Sequence, residues 1–268
     1  IAPRKFPSVP GFDLVGEVVR GVGASCPFKP GDKILSLLSP SLPGAAAEFC
    51  LAEAAHCVLL PEEISDLEAA GLPLAGLTAL QGLCEQGKMV AGQRVLIVGA
   101  SGGVGHYAVQ IAKALGAEVV AVCGSRNVEW VARLGADQVL DYNKTRHFGE
   151  PGSFDLIFDC VSQLAPADTD LLLKSEGIYV DTLFRPGVIL RALLQPLYTR
   201  KRYRMFLVKP SASGLSQLLR LYQEHKLKTR IDSLYALEHL ADAHRMSQTG
   251  RTQGKIVVTV TGTGYVTG

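Results

Sequence analysis

The sequence predicts an α/β protein: a doubly wound parallel sheet with a smaller β-rich domain attached. Three observations predict it. From Arg94 onward, short apolar runs alternate with helical patterns, which implies parallel strands with helices on both faces. The run "VLIV" (95–98) leads into a glycine-rich turn and then a helix. Before Pro61 the chain is instead rich in Gly, Pro and Val. Its short apolar runs there suit a small barrel or curled sheet.

Bulk properties agree. A chain of 268 residues is comfortable for two domains. Apolar residues at 47% and charged residues at 19% suit a globular protein. A net charge of +2 gives no global field, so nucleic acid is not the expected main partner. No apolar run is long enough to span a bilayer. The six cysteines (Cys26, Cys50, Cys57, Cys84, Cys123 and Cys160) include no C-x-x-C pair. This argues against a zinc lobe or a disulfide framework and for a reducing, cytoplasmic setting. The chain opens on Ile1, which leaves open a targeting segment that would send it to an organelle or a membrane surface.

The elements follow in order. Strands are expected at 14–19 and 33–38, joined by "KPGDK", then at 46–53 and 57–61. A helical stretch over 65–83 starts at a Ser65 cap with Glu68 three residues on, and breaks near Gly71 and Pro73. Strands then fall at 95–99, 119–123, 138–141, 155–159, 177–182 and 204–208, with helices at 103–115, 127–134 and 166–174. Amphipathic helices follow at 215–227 and 237–250, then a strand at 254–260. The closing "TGTGYVTG" reads as a flexible tail.

The turn carries the chemistry. Ala100, Gly102 and Gly105 occupy the three positions of G-x-G-x-x-G, with Gly99 and Gly103 beside them. Without side chains, main-chain N–H groups can approach a pyrophosphate, and the following helix aims its positive end at it. An NAD site usually ends its second strand with an acid that binds the ribose hydroxyls. Here that strand runs into Gly124, Ser125 and Arg126. Ser and Arg can bond a 2′-phosphate that an acid would repel, so NADPH is the expected cofactor. Tyr142, after the third strand of this region, can close the same pocket with its hydroxyl.

These residues resemble the medium-chain dehydrogenase/reductase superfamily, in its zinc-free, quinone-oxidoreductase-like and enone-reductase branch. The matching stretches are "VPGFDLVGEVV", "FKPGDKI", "AEFC", "LPLAGLTALQGL", "RVLIVGASGGVGHYAVQIAKALGAEV", "LGADQVLDY" and "GKIVVTV". The resemblance implies a Rossmann domain and a partial GroES-like β-barrel domain, with the first half of the latter ahead of Ile1. The implied boundaries are 1–75 GroES-like, 76–227 Rossmann, 228–262 returning to the GroES-like domain, and 263–268 tail. Zinc-dependent relatives carry Gly-His-Glu with a ligating His. This chain has Gly11, Phe12 and Asp13, and phenylalanine cannot ligate zinc, so no metal is expected.

The resemblance also assigns cofactor contacts. It sets Thr78 beside the nicotinamide ribose phosphate, and Ser101, Gly102, Gly103 and Val104 on the pyrophosphate. Gly124, Ser125, Arg126 and Tyr142 surround the adenosine 2′-phosphate, and Val161 edges the adenosine side. Leu183, Phe184 and Phe206 to Val208 flank the nicotinamide. The implied activity is NADPH-dependent reduction of the C=C bond of α,β-unsaturated carbonyls, or of quinones. In that reaction hydride adds to the β-carbon and negative charge grows on the carbonyl oxygen. No catalytic acid can be named. A homodimer is implied, through an edge strand near 204–208. The alternative is a protein that binds NADPH with little turnover. Its "TRKRYRMF" (199–206) would then touch RNA or an anionic membrane surface.

Overall fold

The computed structural model describes residues 8–23, 26–184, 186–194 and 199–260. The expected tail lies outside them. The chain divides into two compact units. One ends at Leu77 and resumes at Lys209; the other is Thr78–Val208.

In the first unit, β1 (Asp13–Glu17), β2 (Lys33–Leu37) and β3 (Cys57–Leu59) form an antiparallel sheet in that order. The strand expected at 46–53 does not form. The Gly44, Ala45 and Ala46 N–H groups donate instead to carbonyls of Val9, Gly11 and Pro10. These bonds tie the start of the stretch to an irregular segment rather than to a strand. A 3₁₀ turn follows at Ala54–His56.

The predicted break at Gly71 and Pro73 separates α1 (Asp66–Ala70) from α2 (Pro73–Leu80), which runs on into a π-helical turn, Gln81–Gln86. Ser65 caps α1: its hydroxyl accepts from the Glu68 N–H at 3.3 Å and donates to the Glu68 carboxylate at 2.9 Å.

The second unit is a six-stranded parallel sheet. Its strands are β4 (Arg94–Val98), β5 (Glu118–Cys123), β6 (Gln138–Asp141), β7 (Phe154–Asp159), β8 (Leu173–Asp181) and β9 (Arg202–Met205), in the order β6-β5-β4-β7-β8-β9. The strand order therefore reverses between β4 and β7, where doubly wound sheets hold their ligands. Helices α3 (Gly105–Ala114), α4 (Val128–Ala132), α5 (Pro166–Leu172) and α6 (Pro186–Leu194) connect strands of this sheet.

β-Branched runs such as "RVLIV" and "EVVAVC" are buried on both faces, as parallel strands must be. Leu96, Val120, Phe154, Ile157, Leu173 and Tyr179 form part of one fully buried cluster. Each such apolar side chain contributes about 1.5–3 kcal/mol by leaving water.

Three expectations shift here. The helix expected over 166–174 ends at Leu172, and β8 starts at once, pairing Phe154 with Leu173 before its register slips. The strand expected at 204–208 lies at 202–205, at the edge of the sheet. It is anchored early because the Tyr203 hydroxyl donates to Asp170 at 2.6 Å and Lys201 bonds the Asp170 carbonyl. Helix α6 was not expected at all. Its run "PGVILRALL" sets Gly187 and Arg191 on one face, and Val188 is its buried residue.

The chain then returns to the first unit. Ser211 caps α7 (Ala212–Gln223) by accepting from the Gly214 N–H at 3.0 Å, and α7 packs on β2 and β3. The unexpected β10 (Ile231–Ala236) pairs in parallel with β11 (Lys255–Thr259), and α8 (Leu240–Gln248) packs on both.

The N-terminal edge of the large sheet is laced with ion pairs. Arg94 meets Glu118 at 2.8 Å, and Lys174 meets Asp155 at 2.8 Å. The Arg94 N–H also donates to Asp155.

The π-helical turn presses on the sheet. A Cβ on Gly82 would lie 2.6 Å from the Phe158 ring, which is fully buried. Gly82→Ala is expected to lower stability by about 1–3 kcal/mol through overpacking, measured by denaturant melts.

Candidate functional site

Parallel strands all end on one edge, so the loops leaving β4 to β9 gather their residues there. The turn after β4 is the most constrained. The Gly99 and Ala100 N–H groups both donate to the Val122 carbonyl, at 3.1 and 2.9 Å, which ties the turn to β5. Gly99 takes a left-handed conformation (φ +78), and a Cβ on Gly105 would sit 2.1 Å from its carbonyl oxygen. Only glycine permits this approach of α3 to β4. The first residues of α3 receive no side-chain cap. The N–H groups of Ser101, Gly103, Val104 and Gly105 find no acceptor among the described residues. Orphan donors at the positive end of a helix are what a dinucleotide pyrophosphate requires, so this turn fits the group.

The ends of β5 and β6 build the adjoining pocket. Gly124 is buried, while Ser125 and Arg126 are exposed. Arg126 pairs with nothing among the described residues. The Tyr142 hydroxyl stands over Gly124, where an added Cβ would meet it at 2.7 Å. Asn143 donates to the Ser125 hydroxyl at 3.2 Å, and Asn127 donates to that of Ser101 at 2.9 Å. The sequence reading missed both asparagines; Asn127 lies four residues past the end of β5 and Asn143 two past the end of β6.

A carboxylate does lie nearby. Asp141 is buried and ends β6 opposite Cys123. Its Oδ1 accepts from the Asn143 N–H at 3.0 Å, so it serves its own loop. The Ser125 hydroxyl beside it holds its carboxyl below the usual range. Burial, and then the Asp141 charge, push the Cys123 thiol up to about 11, so that thiol stays protonated and unreactive at neutral pH.

The remaining expected residues fall as follows. Val161 follows β7 and abuts Gly99, where an added Cβ would lie 2.6 Å from its Cγ1. Leu183 and Phe184 follow β8 with their side chains about half exposed. Phe206 is buried just past β9, Leu207 is exposed, and Val208 is half-buried. Thr78 is buried on α2. The structure thus joins Ser101, Gly124, Ser125, Tyr142 and Val161 around one turn. Among the described residues no cluster of three or more His, Cys, Asp or Glu stands ready to hold a metal. No described helix is long and apolar enough to cross a membrane.

Comparisons with known proteins define the class. A family model described as a zinc-binding dehydrogenase matches residues 134–258. The chloroplast envelope quinone oxidoreductase homolog of Arabidopsis thaliana is 38% identical over 266 residues, covering 96% of this chain and 81% of that protein. The 2-methylene-furan-3-one reductase of Solanum lycopersicum is 32% identical over 94% of this chain and 64% of its own length. The solved quinone oxidoreductase of Coxiella burnetii superposes with a TM-score of 0.87 at 31% identity, covering 96% of this chain and 80% of that one.

The chain belongs to the medium-chain dehydrogenase/reductase superfamily, in its quinone-oxidoreductase-like branch. It has that superfamily's Rossmann and GroES-like fold, and it is an oxidoreductase that takes a nicotinamide cofactor and a small-molecule substrate.

Two glycines separate fold from binding. Gly105→Ala drives a Cβ into backbone and is expected to cost about 2 kcal/mol or more, seen as a lower melting midpoint. A Cβ on Gly102 would meet only the Gly99 carbonyl, at 3.4 Å. Gly102→Ala is therefore expected to fold as the parent does but to bind nicotinamide dinucleotide about tenfold more weakly by calorimetry.

Proposed function

We propose that this protein is an NADPH-dependent, zinc-free oxidoreductase that reduces the C=C bond of α,β-unsaturated carbonyls, and quinones, by hydride transfer. The observation that carries the cofactor choice is the end of β5. There Ser125 and the exposed Arg126, unpaired among the described residues, stand where an NAD site would set an acid, with Tyr142 over Gly124. Phe12, without a donor atom at the position of the zinc-ligating His, supports chemistry without the metal that the family model's description mentions. The tomato reductase, acting as its name says on a methylene furanone, supports an enone substrate.

In this reading the N–H groups of Ser101, Gly103, Val104 and Gly105 hold the pyrophosphate, with Gly102 giving the close approach. Ser125 and Arg126 hold the 2′-phosphate, and Val161 edges the adenosine. Thr78, Leu183, Phe184, Phe206 and Val208 line the nicotinamide side. Bound NADPH supplies the hydride. The edge strand β9 leaves backbone groups open to a partner strand, which supports a homodimer paired through it.

The alternative, a binding protein with little turnover, draws on the basic segment 199–206. Arg200 pairs with Glu176 and Lys201 bonds the Asp170 carbonyl, so part of that charge is committed within the chain.

A panel of enones, alkenals and quinones, each offered NADPH or NADH, tests the reading. NADPH oxidation with at least one class is expected and a chelator should leave the rate unchanged; silence across the panel would sink the enzyme reading. Arg126→Ala should raise KM for NADPH by about 10- to 100-fold while leaving that for NADH unmoved.

A further inference from the structure

Two buried carboxyl groups end adjacent strands side by side. Asp159 on β7 and Asp181 on β8 are register partners, and both are fully buried. Asp159 accepts the Val161 N–H on Oδ1 at 3.2 Å and the Leu164 N–H on Oδ2 at 2.9 Å. Asp181 Oδ1 accepts the Leu183 N–H at 2.9 Å and the Ser162 hydroxyl. The two carboxyls therefore hold the turns that carry Val161, Leu183 and Phe184. One of those turns needs holding, because Ser162 sits in the left-handed region at φ +56, a conformation that costs a residue with a side chain about 1–2 kcal/mol.

The Tyr179 hydroxyl lies 3.1 Å from Oδ2 of both carboxyls. A hydroxyl has one proton to donate. With both ionised, that one proton would be shared between two buried like charges, which their mutual repulsion disfavours. With one of the two an acid, that acid donates to the phenol oxygen and each short contact has its own proton.

We propose that Asp159 is held as the carboxylic acid and donates to Tyr179, that Tyr179 donates to Asp181, and that this clasp positions the 161–164 and 182–184 turns beside the dinucleotide. The positioning half rests on the cofactor reading above; the proton half does not.

The surroundings agree. Burial, opposed by the Leu164 and Val161 N–H groups and reinforced by the Asp181 charge, pushes the Asp159 carboxyl up. Burial, and then both aspartates, push the Cys160 thiol well up, so it adds no charge. Among the described residues Tyr203 is a further titratable neighbour: its ring is 5.2 Å from that of Tyr179, and its hydroxyl donates to Asp170. Arg191 lies over the Tyr203 ring at 5.8 Å and pairs with Asp170.

Infrared spectra of the chain without cofactor locate the proton. A carboxylic-acid C=O band is expected at neutral pH and should vanish in Asp159→Asn. No such band in the parent, or one that survives in the variant, overturns the proposal. The sign of the pH dependence is fixed as well. A carboxyl raised in the folded state stabilises fully below its unfolded value of about 4 and loses that contribution as pH rises through its folded value. The parent should therefore lose stability relative to Asp159→Asn on raising the pH above about 4; parallel profiles overturn the proposal.

NADPH titration tests the positioning role. Asp159→Asn keeps a neutral donor to Tyr179 but gives up the acceptor of the Leu164 N–H, so it should weaken binding less than Tyr179→Phe and Ser162→Ala, each of which should weaken it about tenfold. Two variants guard against one failing to fold. An Asn variant as weak as the Phe variant overturns the clasp. A parent that shows the band yet binds no NADPH keeps the proton assignment and overturns the cofactor reading instead.

Discussion

The contact between the carbonyl of Gly99 and the bare α-carbon of Gly105 sets how closely α3 approaches β4. A methyl group at Gly105 would push the helix off the strand. That close approach lets α3 bury His106 to Ala112 almost completely, and it aims the uncapped helix start along the C-terminal edge of the sheet. Strand register, turn shape and helix direction all hang on this contact. The same geometry that packs the helix leaves its first donors without partners.

Loops that line the edge are fastened to one another rather than left to hang separately. Asn127 reaches back from the β5 loop to Ser101, and Asn143 reaches from the β6 loop to Ser125. On the other side of the reversal point, Ser162 reaches across to Asp181. Short polar bonds between loops fix side-chain positions at little cost in entropy, because each loop is already anchored at a strand end. A pocket assembled this way is set before any ligand arrives.

Much of this was legible in the sequence. Apolar runs of four or five residues marked the strands of the large sheet, because a parallel strand buries both faces and shows no alternation. Ser65 with Glu68 marked a helix start, and the glycine turn marked the site. What stayed hidden was decided by tertiary partners. Residues 46–53 have strand-like composition, yet the segment that leads into them, Gly44 to Ala46, bonds to the carbonyls of Val9, Gly11 and Pro10. β10 took shape only by pairing with β11, which lies a helix away in the chain. Helix α6 does carry a helical pattern, with Gly187 and Arg191 four apart on one face, but the expected elements do not include it. The aspartates of "FDLIFDC" and "YVDTL" were visible as letters, but only the parallel register of β7 and β8 brings them together. The roles of Leu183, Phe184, Phe206 and Val208 came from family resemblance alone, since nothing in their local pattern points to a cofactor.

The ion pairs along the opposite edge of the sheet have a consequence of their own. Arg94, Glu118, Asp155 and Lys174 neutralise one another at the N-terminal ends of their strands, so that end of the sheet presents alternating charges that cancel. The C-terminal end keeps Arg126 and a row of N–H groups that find no acceptor among the described residues. The opposite edge is thus self-satisfied, while the turn after β4 and Arg126 seek an anion, even though Asp141, Asp159 and Asp181 end strands on the same side. Dissolved salt meets the two ends differently. Exposed pairs worth about 0–1 kcal/mol each lose little by being screened, whereas the attraction of a multiply charged anion from a distance fades within a Debye length of about 8 Å at physiological ionic strength. Ionic strength therefore governs how readily this protein collects its cofactor far more than whether it stays folded.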